Sequence, residues 1–157
     1  IPRGRAGGYT MRMPKEERYL KTRTEFLNDI AILLGGYVAE ELKFKDVSTG
    51  AANDLQEASD LSRSLVTKYG MSKTLGPVVF GKNEEFIFLG KDLTSERNYS
   101  EETAVKIDKE VFDIMKIAYQ KAKDTLKTNW NKLEKIAQEL IQKETLEKEE
   151  FEALIKE

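Results

Sequence analysis

Residues 48–72 read STGAANDLQEASDLSRSLVTKYGMS, and their apolar residues recur at intervals of three and four. This spacing predicts one amphipathic α-helix, because residues three or four apart share a helix face. The predicted apolar face carries Ala58, Leu61, Leu65 and Tyr69. Gly70 is expected to end the helix, since glycine is common just past a helix C-terminus.

One carboxylate of this predicted helix falls on its apolar side. Asp54 precedes Ala58 by four residues and Leu61 by seven, so its side chain is predicted to point toward that side near the helix start. A buried, unpaired carboxylate is costly, so a cation, a proton or hydrogen-bond donors must meet it. The pattern alone leaves three uses open: a structural carboxylate held by an arginine or by first-turn amides, a general base, or a metal ligand.

Several motifs along the chain are similar to those of one family and occur in the same order. The chain reads STGAANDL at 48–55, YGMS at 69–72, LGPV at 75–78, IPRGRA at 1–6, LLGG at 33–36, AEEL at 39–42 and RNYSEET at 97–103. Together they resemble the peptidase domain of the FtsH family of membrane-anchored, ATP-dependent zinc metalloproteases. The resemblance implies a zinc endopeptidase in which Asp54 is the third protein ligand of the catalytic zinc.

The remaining zinc ligands of that family are missing from this sequence. In the family, two histidines and the catalytic glutamate come from a His-Glu-x-x-His helix, whereas this chain contains no histidine. We therefore expect a C-terminal part of the peptidase domain that starts just after that helix. A catalytic zinc needs three protein ligands and an open position for water. These residues alone are accordingly predicted to be inactive, with no catalytic residue in the chain.

The resemblance also implies partners and a location. An attached ATPase module would feed polypeptides, including unfolded and membrane proteins, to the peptidase. ATP would bind only in that module, because the phosphate-loop pattern G-x-x-x-x-G-K-[ST] is absent here. The family assembles as hexameric rings, so some apolar surface of the C-terminal helices is expected to serve subunit contacts. The implied location is the cytoplasmic face of the bacterial inner membrane, or an organelle inner membrane, with the peptidase domain itself soluble.

The composition is typical of one folded, helix-rich domain. The 157 residues are 39% hydrophobic and 34% charged, with a net charge of −2 and no cysteine. A chain of this length can bury a core without disulfides. The near-neutral charge and the lack of a basic stripe disfavour nucleic-acid binding. The longest nearly continuous apolar run, residues 30–39, is too short to span a bilayer.

Residues 1–13 predict a glycine-rich turn followed by a short edge strand, which Pro14 ends. An exposed edge strand can pair with an extended peptide. An ordinary structural strand is the alternative. The resemblance favours substrate binding at Gly8, Tyr9, Thr10 and Met11, because many zinc peptidases hold their substrate along such a strand.

A broad apolar face predicts a buried core helix that starts at Thr24 as N-cap and reaches Leu42. Gly35 and Gly36 lie inside it, which we expect where another helix backbone approaches closely. Glu40 and Glu41 are interpreted as a solvated face or a salt bridge. They are not expected to form an acid–base pair, because adjacent helical residues point about 100° apart.

The remaining elements follow from strand and cap signals. Residues 78–80 and 85–89 are predicted to form a β-hairpin. Ser100 is expected to cap a long helix whose apolar stripe includes Ile107, Ile114 and Ala118. Asn129 is expected to break and recap it, and Thr145 to cap a last short helix. The fold prediction is mainly α, a bundle of about five helices with a short β-hairpin and an N-terminal edge strand. Its parts are the strand at 1–13, core helices and β-hairpin at 24–99, and a C-terminal helical hairpin at 100–157.

Two functions stay open at this point. The first is a part of a zinc endopeptidase in which Asp54 completes the metal site and the C-terminal helices serve oligomerisation. The second is a non-catalytic helical scaffold or adaptor that has lost the metal site. Sequence upstream of Ile1 discriminates between them, because a His-Glu-x-x-His helix there would support the enzyme.

Overall fold

The computed structural model of the chain describes residues 20–81 and 98–156. The described residues are mainly helical, which confirms the predicted fold class. The α-helices are α1 Arg23–Leu33, α2 Gly35–Phe44, α3 Ala52–Thr67, α4 Glu101–Thr128, α5 Trp130–Lys143 and α6 Lys148–Lys156, and a short 3-10 helix, Thr49–Ala51, leads into α3. The described residues divide into two compact units, one within residues 21–124 and one that holds Leu20 and residues 125–156.

The predicted core helix is in fact two helices. The N-cap of α1 is Thr22, not Thr24, because Thr22 and Glu25 form a capping box in which each side chain accepts a hydrogen bond from the other's amide. The helix breaks at Leu34, and Gly35 and Gly36 open α2. A Cβ on either glycine would meet no described atom within 4 Å. The expected close approach of another helix backbone is therefore wrong, and the weak helix propensity of the glycine pair fits the break instead.

The core of the larger unit is built from aliphatic side chains of several helices. Burial of such side chains is the main favourable contribution to folding. The predicted apolar face of α3 is confirmed at Ala58 and Leu65, which are fully buried. Leu61 is only half-buried, and Tyr69, past the helix end, is 51% exposed although its ring stacks on Phe26 with centroids 5.1 Å apart. The largest fully buried side chains are Ile30, Val38, Leu65, Val66, Ile107 and Ile114.

Gly70 turns the chain after α3, as predicted. Its φ is +57°, a conformation that favours glycine, and the Met71 amide donates to the Leu65 carbonyl at 3.0 Å. A Cβ on Gly70 would lie 3.2 Å from the backbone of Pro77 and of Val78. Glycine is therefore required both by the backbone conformation and by the segment that returns past it.

The first predicted strand of the hairpin, residues 78–80, is not a strand. Its amides have other partners: Val78 donates to the Gly76 carbonyl and Phe80 to the Thr67 carbonyl at the end of α3, each at 2.9 Å. The only β pairing within 20–81 and 98–156 is an isolated bridge between Ser72 and Gly76. The second predicted strand, residues 85–89, lies outside the described residues. So do the predicted N-terminal edge strand and its candidate substrate-binding residues.

The start of α4 and its buried face are as predicted. Ser100 accepts a hydrogen bond from the Thr103 amide at 3.2 Å, and the helix buries a stripe that includes Ile107, Ile114 and Ala118. Asn129 does lie between α4 and α5, but its side chain makes no cap and donates to the Thr125 carbonyl at 2.9 Å. The predicted boundary between the two helices at Asn129 is therefore correct, but the predicted capping hydrogen bond is not formed.

In the smaller unit, α5 and α6 pack against each other after a turn at Glu144, whose φ is +65°. Lys143 pairs with Glu139 at 3.2 Å and with Glu150 at 3.1 Å. The last helix begins at Lys148, so Thr145 is not its cap. The arrangement of residues 100–157 as one helical hairpin stays a prediction. Among the described helices, none is both long and apolar enough to cross a bilayer.

Candidate functional site

Asp54 lies in the first turn of α3, where its side chain is half-buried. The first turn of a helix favours a negative charge. No hydrogen bond or ion pair joins the Asp54 carboxylate to any other described residue, and none of the described buried polar side-chain atoms lacks a partner. The Asp54 oxygens therefore have no partner among residues 20–81 and 98–156, and no arginine in those ranges holds them. Its role as a metal ligand stays a prediction.

The backbone before Asp54 is held by a short chain of hydrogen bonds. The Ser48 hydroxyl accepts from the Gly50 amide at 3.1 Å, and the Ala52 amide donates to the Thr49 carbonyl. Ala51, which is 5% exposed, anchors this turn in the core. The 3-10 helix therefore runs into α3 without a loop, and the position of Asp54 depends on how this turn is held.

Glu40, on α2, contacts this turn with both carboxylate oxygens. Oε2 accepts from the Ser48 amide at 2.8 Å and Oε1 from the Ser48 hydroxyl at 3.0 Å. Glu40 thus lies on a partly exposed face, as interpreted, but it also has a hydrogen-bonding partner that the sequence did not predict. Sequence reasoning missed this pair because the two residues are eight apart and lie on different elements. The one available signal was the preference of serine for positions that cap a helix start.

Glu41 is a salt-bridged residue, as predicted. Tyr119 on α4 donates its hydroxyl hydrogen bond to Glu41, and the Lys123 ammonium lies 3.5 Å from the same carboxylate. The hydrogen bond from Tyr119, together with the positive charges of Lys123 and Lys45, lowers the pKa of Glu41 below its usual value. Glu40 and Glu41 thus have separate structural partners and do not form an acid–base pair.

A shallow apolar groove of about 310 Å³ lies near the candidate site on the larger unit. Leu55, the residue after Asp54, contributes to its lining. The other lining residues come from the α1–α2 junction and from α4: Leu34, Tyr37, Phe112, Met115, Lys116 and Tyr119. The groove offers apolar surface and has only one charged residue, so it has no set of groups suited to catalysis.

The described residues can supply a zinc ion with only a single ligand. No three acidic side chains meet within metal-binding distance in the part of the chain that the structure describes. The sequence contains no histidine and no cysteine. Asp54 nevertheless has the chemistry of a ligand, because its carboxylate is not bound to any described cation and carboxylate oxygens are ordinary zinc ligands. The other ligands of a catalytic zinc site must come from elsewhere.

Comparison with known proteins identifies the class of protein to which this chain belongs. The chain matches Peptidase family M41 over residues 1–154, and it therefore belongs to that family. This result confirms the resemblance inferred from the motifs.

Curated relatives carry a more particular name. The "ATP-dependent zinc metalloprotease FtsH" of Caldicellulosiruptor bescii is 52% identical over 155 residues, which cover 99% of this chain and 25% of the relative. The "ATP-dependent zinc metalloprotease FtsH 1" of Thermoanaerobacter sp. is 52% identical over 152 residues, covering 97% and 25%. The Bacillus subtilis FtsH is 49% identical over 156 residues, covering 99% and 24%. The chain thus spans about a quarter of the length of the curated relatives it matches.

Proposed function

We propose that this chain is part of the peptidase domain of an ATP-dependent zinc endopeptidase and that Asp54 supplies the third protein ligand of the zinc. One observation carries the proposal. Asp54 is half-buried and has no described partner, and it lies at the start of a well-packed helix within the residues that match the family. In this proposal a His-Glu-x-x-His helix provides the two histidines and the general base.

In this reaction the chain would hold and orient one ligand of the zinc ion, Asp54. The bound zinc would supply a polarised water for attack on the peptide bond. Asp54 would occupy one coordination position with an anionic oxygen, which the first turn of α3 favours electrostatically. The buried side chains of α3, among them Ala58 and Leu65, keep that helix in place beneath the site.

Substrate binding is the second part of the proposal. Gly8, Tyr9, Thr10 and Met11 would pair with an extended polypeptide through backbone hydrogen bonds, as edge strands do. Such pairing depends on an extended backbone more than on the amino-acid sequence of the substrate. It therefore suits unfolded or membrane proteins as substrates. The relatives are named as ATP-dependent proteases, which supports an ATPase module in the same protein. Assembly as a hexameric ring and location at the cytoplasmic face of an inner membrane belong to the same proposal.

The test compares two aspartates of α3 in the full-length protein that contains this chain. Asp54→Ala and Asp54→Asn remove the proposed ligand, whereas Asp60→Asn changes an exposed aspartate whose described partner is Gln56 at 3.1 Å. Zinc content is measured by mass spectrometry of the metal, and hydrolysis is measured on an unfolded protein with ATP. Helix content is measured by circular dichroism.

We expect both Asp54 variants to lose bound zinc and to lose hydrolysis by at least about 100-fold, because three ligands are needed for the catalytic ion. Asp60→Asn is expected to keep both, and all variants should keep their helix content. An Asp54→Ala protein with full zinc and full hydrolysis would refute the role of Asp54. A wild-type protein that neither binds zinc nor cleaves protein would favour the scaffold instead.

A further inference from the structure

We propose that Glu40 and Ser48 are positioning residues for Asp54. The Glu40 carboxylate and the Ser48 amide and hydroxyl form what we name the Glu40–Ser48 latch, which joins α2 to the turn that starts α3. The latch would set the direction from which Asp54 reaches the metal. This inference rests on the proposed function and extends it to residues that do not touch the ion.

The geometry of the latch restrains a residue more than one hydrogen bond would. The two oxygens of Glu40 accept from two different groups of Ser48, at 2.8 and 3.0 Å. Hydrogen bonds to an ionised carboxylate are stronger than neutral ones. Two such bonds from one carboxylate hold both the backbone and the side chain of Ser48 against α2.

No loop separates Ser48 from Asp54, so a restraint on Ser48 also restrains the helix start that carries Asp54. The Ser48 hydroxyl caps the 3-10 helix through the Gly50 amide at 3.1 Å. A Cβ on Gly50 would lie 3.1 Å from that hydroxyl and 3.5 Å from Oε1 of Glu40, so the turn is compact around the latch. Ala51, the N-cap of α3, makes no side-chain cap of its own. The latch therefore takes the place of a cap for the helix that carries Asp54.

The location of the latch favours a local role over a general one. Ser48 is exposed and Glu40 is half-buried, and exposed polar contacts contribute little to global stability. A metal ligand, in contrast, must be held close to its productive position by supporting residues. Loss of such outer partners typically lowers metal affinity on the order of 10- to 100-fold. The latch is suited to that support.

The experiment uses the full-length protein with zinc as the probe. Zinc affinity is measured by competition with a chelator for Glu40→Ala, Ser48→Ala, the double variant, Ser48→Thr and the control Glu41→Ala. Glu41 is the adjacent carboxylate on the same helix, and it contacts Tyr119 and Lys123 but not Ser48. Glu41→Ala thus removes the same charge from α2 while it leaves the latch intact.

We expect Glu40→Ala and Ser48→Ala each to lower zinc affinity about 10- to 100-fold. The double variant should lose no more than the larger single loss, because both changes remove the same contact. Ser48→Thr keeps the hydroxyl and should restore most of the affinity. Glu41→Ala should bind zinc like the wild type.

A second measurement does not depend on the metal. In zinc-free protein, amide hydrogen exchange over residues 48–55 should be faster in Glu40→Ala and Ser48→Ala and unchanged in Glu41→Ala. Wild-type affinity and exchange in both latch variants, with zinc lost in Asp54→Ala, would refute the latch and leave the proposed function standing. Equal losses in Glu40→Ala and Glu41→Ala would also refute it. Full zinc binding by Asp54→Ala would instead refute the proposed function and the latch with it.

Discussion

Thr74 donates its hydroxyl hydrogen bond to Glu110 at 2.5 Å, which joins the turn after α3 to the middle of α4. Glu110 also accepts from the Lys73 amide at 3.1 Å and is only 7% exposed. From the other side, Arg23 of α1 donates to the Met71 carbonyl at 2.8 Å. The turn that follows α3 is thus held by side chains of two helices that are far apart in sequence.

Replacement of Glu110 by glutamine should lower the free energy of unfolding by about 1–3 kcal/mol. The amide has one acceptor oxygen where the carboxylate has two, so the Thr74 hydroxyl or the Lys73 amide loses its charged acceptor in this part-buried contact. Chemical denaturation of the 157-residue chain measures the change. Asp113→Asn alters an exposed acid on the same helix and should change stability by less than about 0.5 kcal/mol. Equal effects of the two substitutions would contradict the role given to Glu110.

The contribution of Glu110 should also depend on pH. Burial by itself would raise the pKa of Glu110, but hydrogen bonds from Thr74, the Lys73 amide and Ser72, with the charge of Arg23, lower it below its usual value. A carboxylate with a lowered folded-state pKa stabilises the fold at pH above its unfolded value of about 4.3. That stabilisation is lost as the pH falls through the folded-state pKa.

The stability difference between wild type and Glu110→Gln should therefore stay constant above about pH 5 and shrink below about pH 4. Denaturation of both proteins across this range measures it. Asp113→Asn again serves as the reference, because low pH also protonates the other carboxylates in this variant and changes its stability for reasons unrelated to Glu110. A difference that grows as the solution becomes more acidic would have the wrong sign for this mechanism.

Substitution by alanine should have opposite effects on stability at Gly70 and at Gly36. Gly70→Ala should destabilise the chain by about 1–3 kcal/mol, because its φ of +57° is strained for alanine and the new Cβ would press on the Pro77 backbone. Gly36→Ala, in open space within α2, should stabilise by about 0.5–1 kcal/mol. Thermal unfolding of the two variants measures the contrast, and a shift of the same sign in both would contradict this account of Gly70.

Local patterns in the sequence were sufficient for much of the helical fold. The spacing of Ala58 and Leu65 predicted the buried face of α3, and that of Ile107 and Ile114 predicted the buried face of α4. The apolar pattern does not reveal the break between α1 and α2, because it continues across Leu34. The helix start shows the same limit, because Thr22 and Thr24 are both plausible caps in the sequence and only Thr22 forms the capping box with Glu25.

By itself, the sequence determined the family, the helical class and the choice of Asp54 as the residue around which a function could be proposed. Only the tertiary structure decided that Glu40 meets Ser48 and that Glu110 meets Thr74. Helix periodicity and caps are set by hydrogen bonds and burial within a turn or two of chain, so the sequence carries them directly. Contacts between distant residues depend on how whole helices pack, and no local pattern specifies that packing.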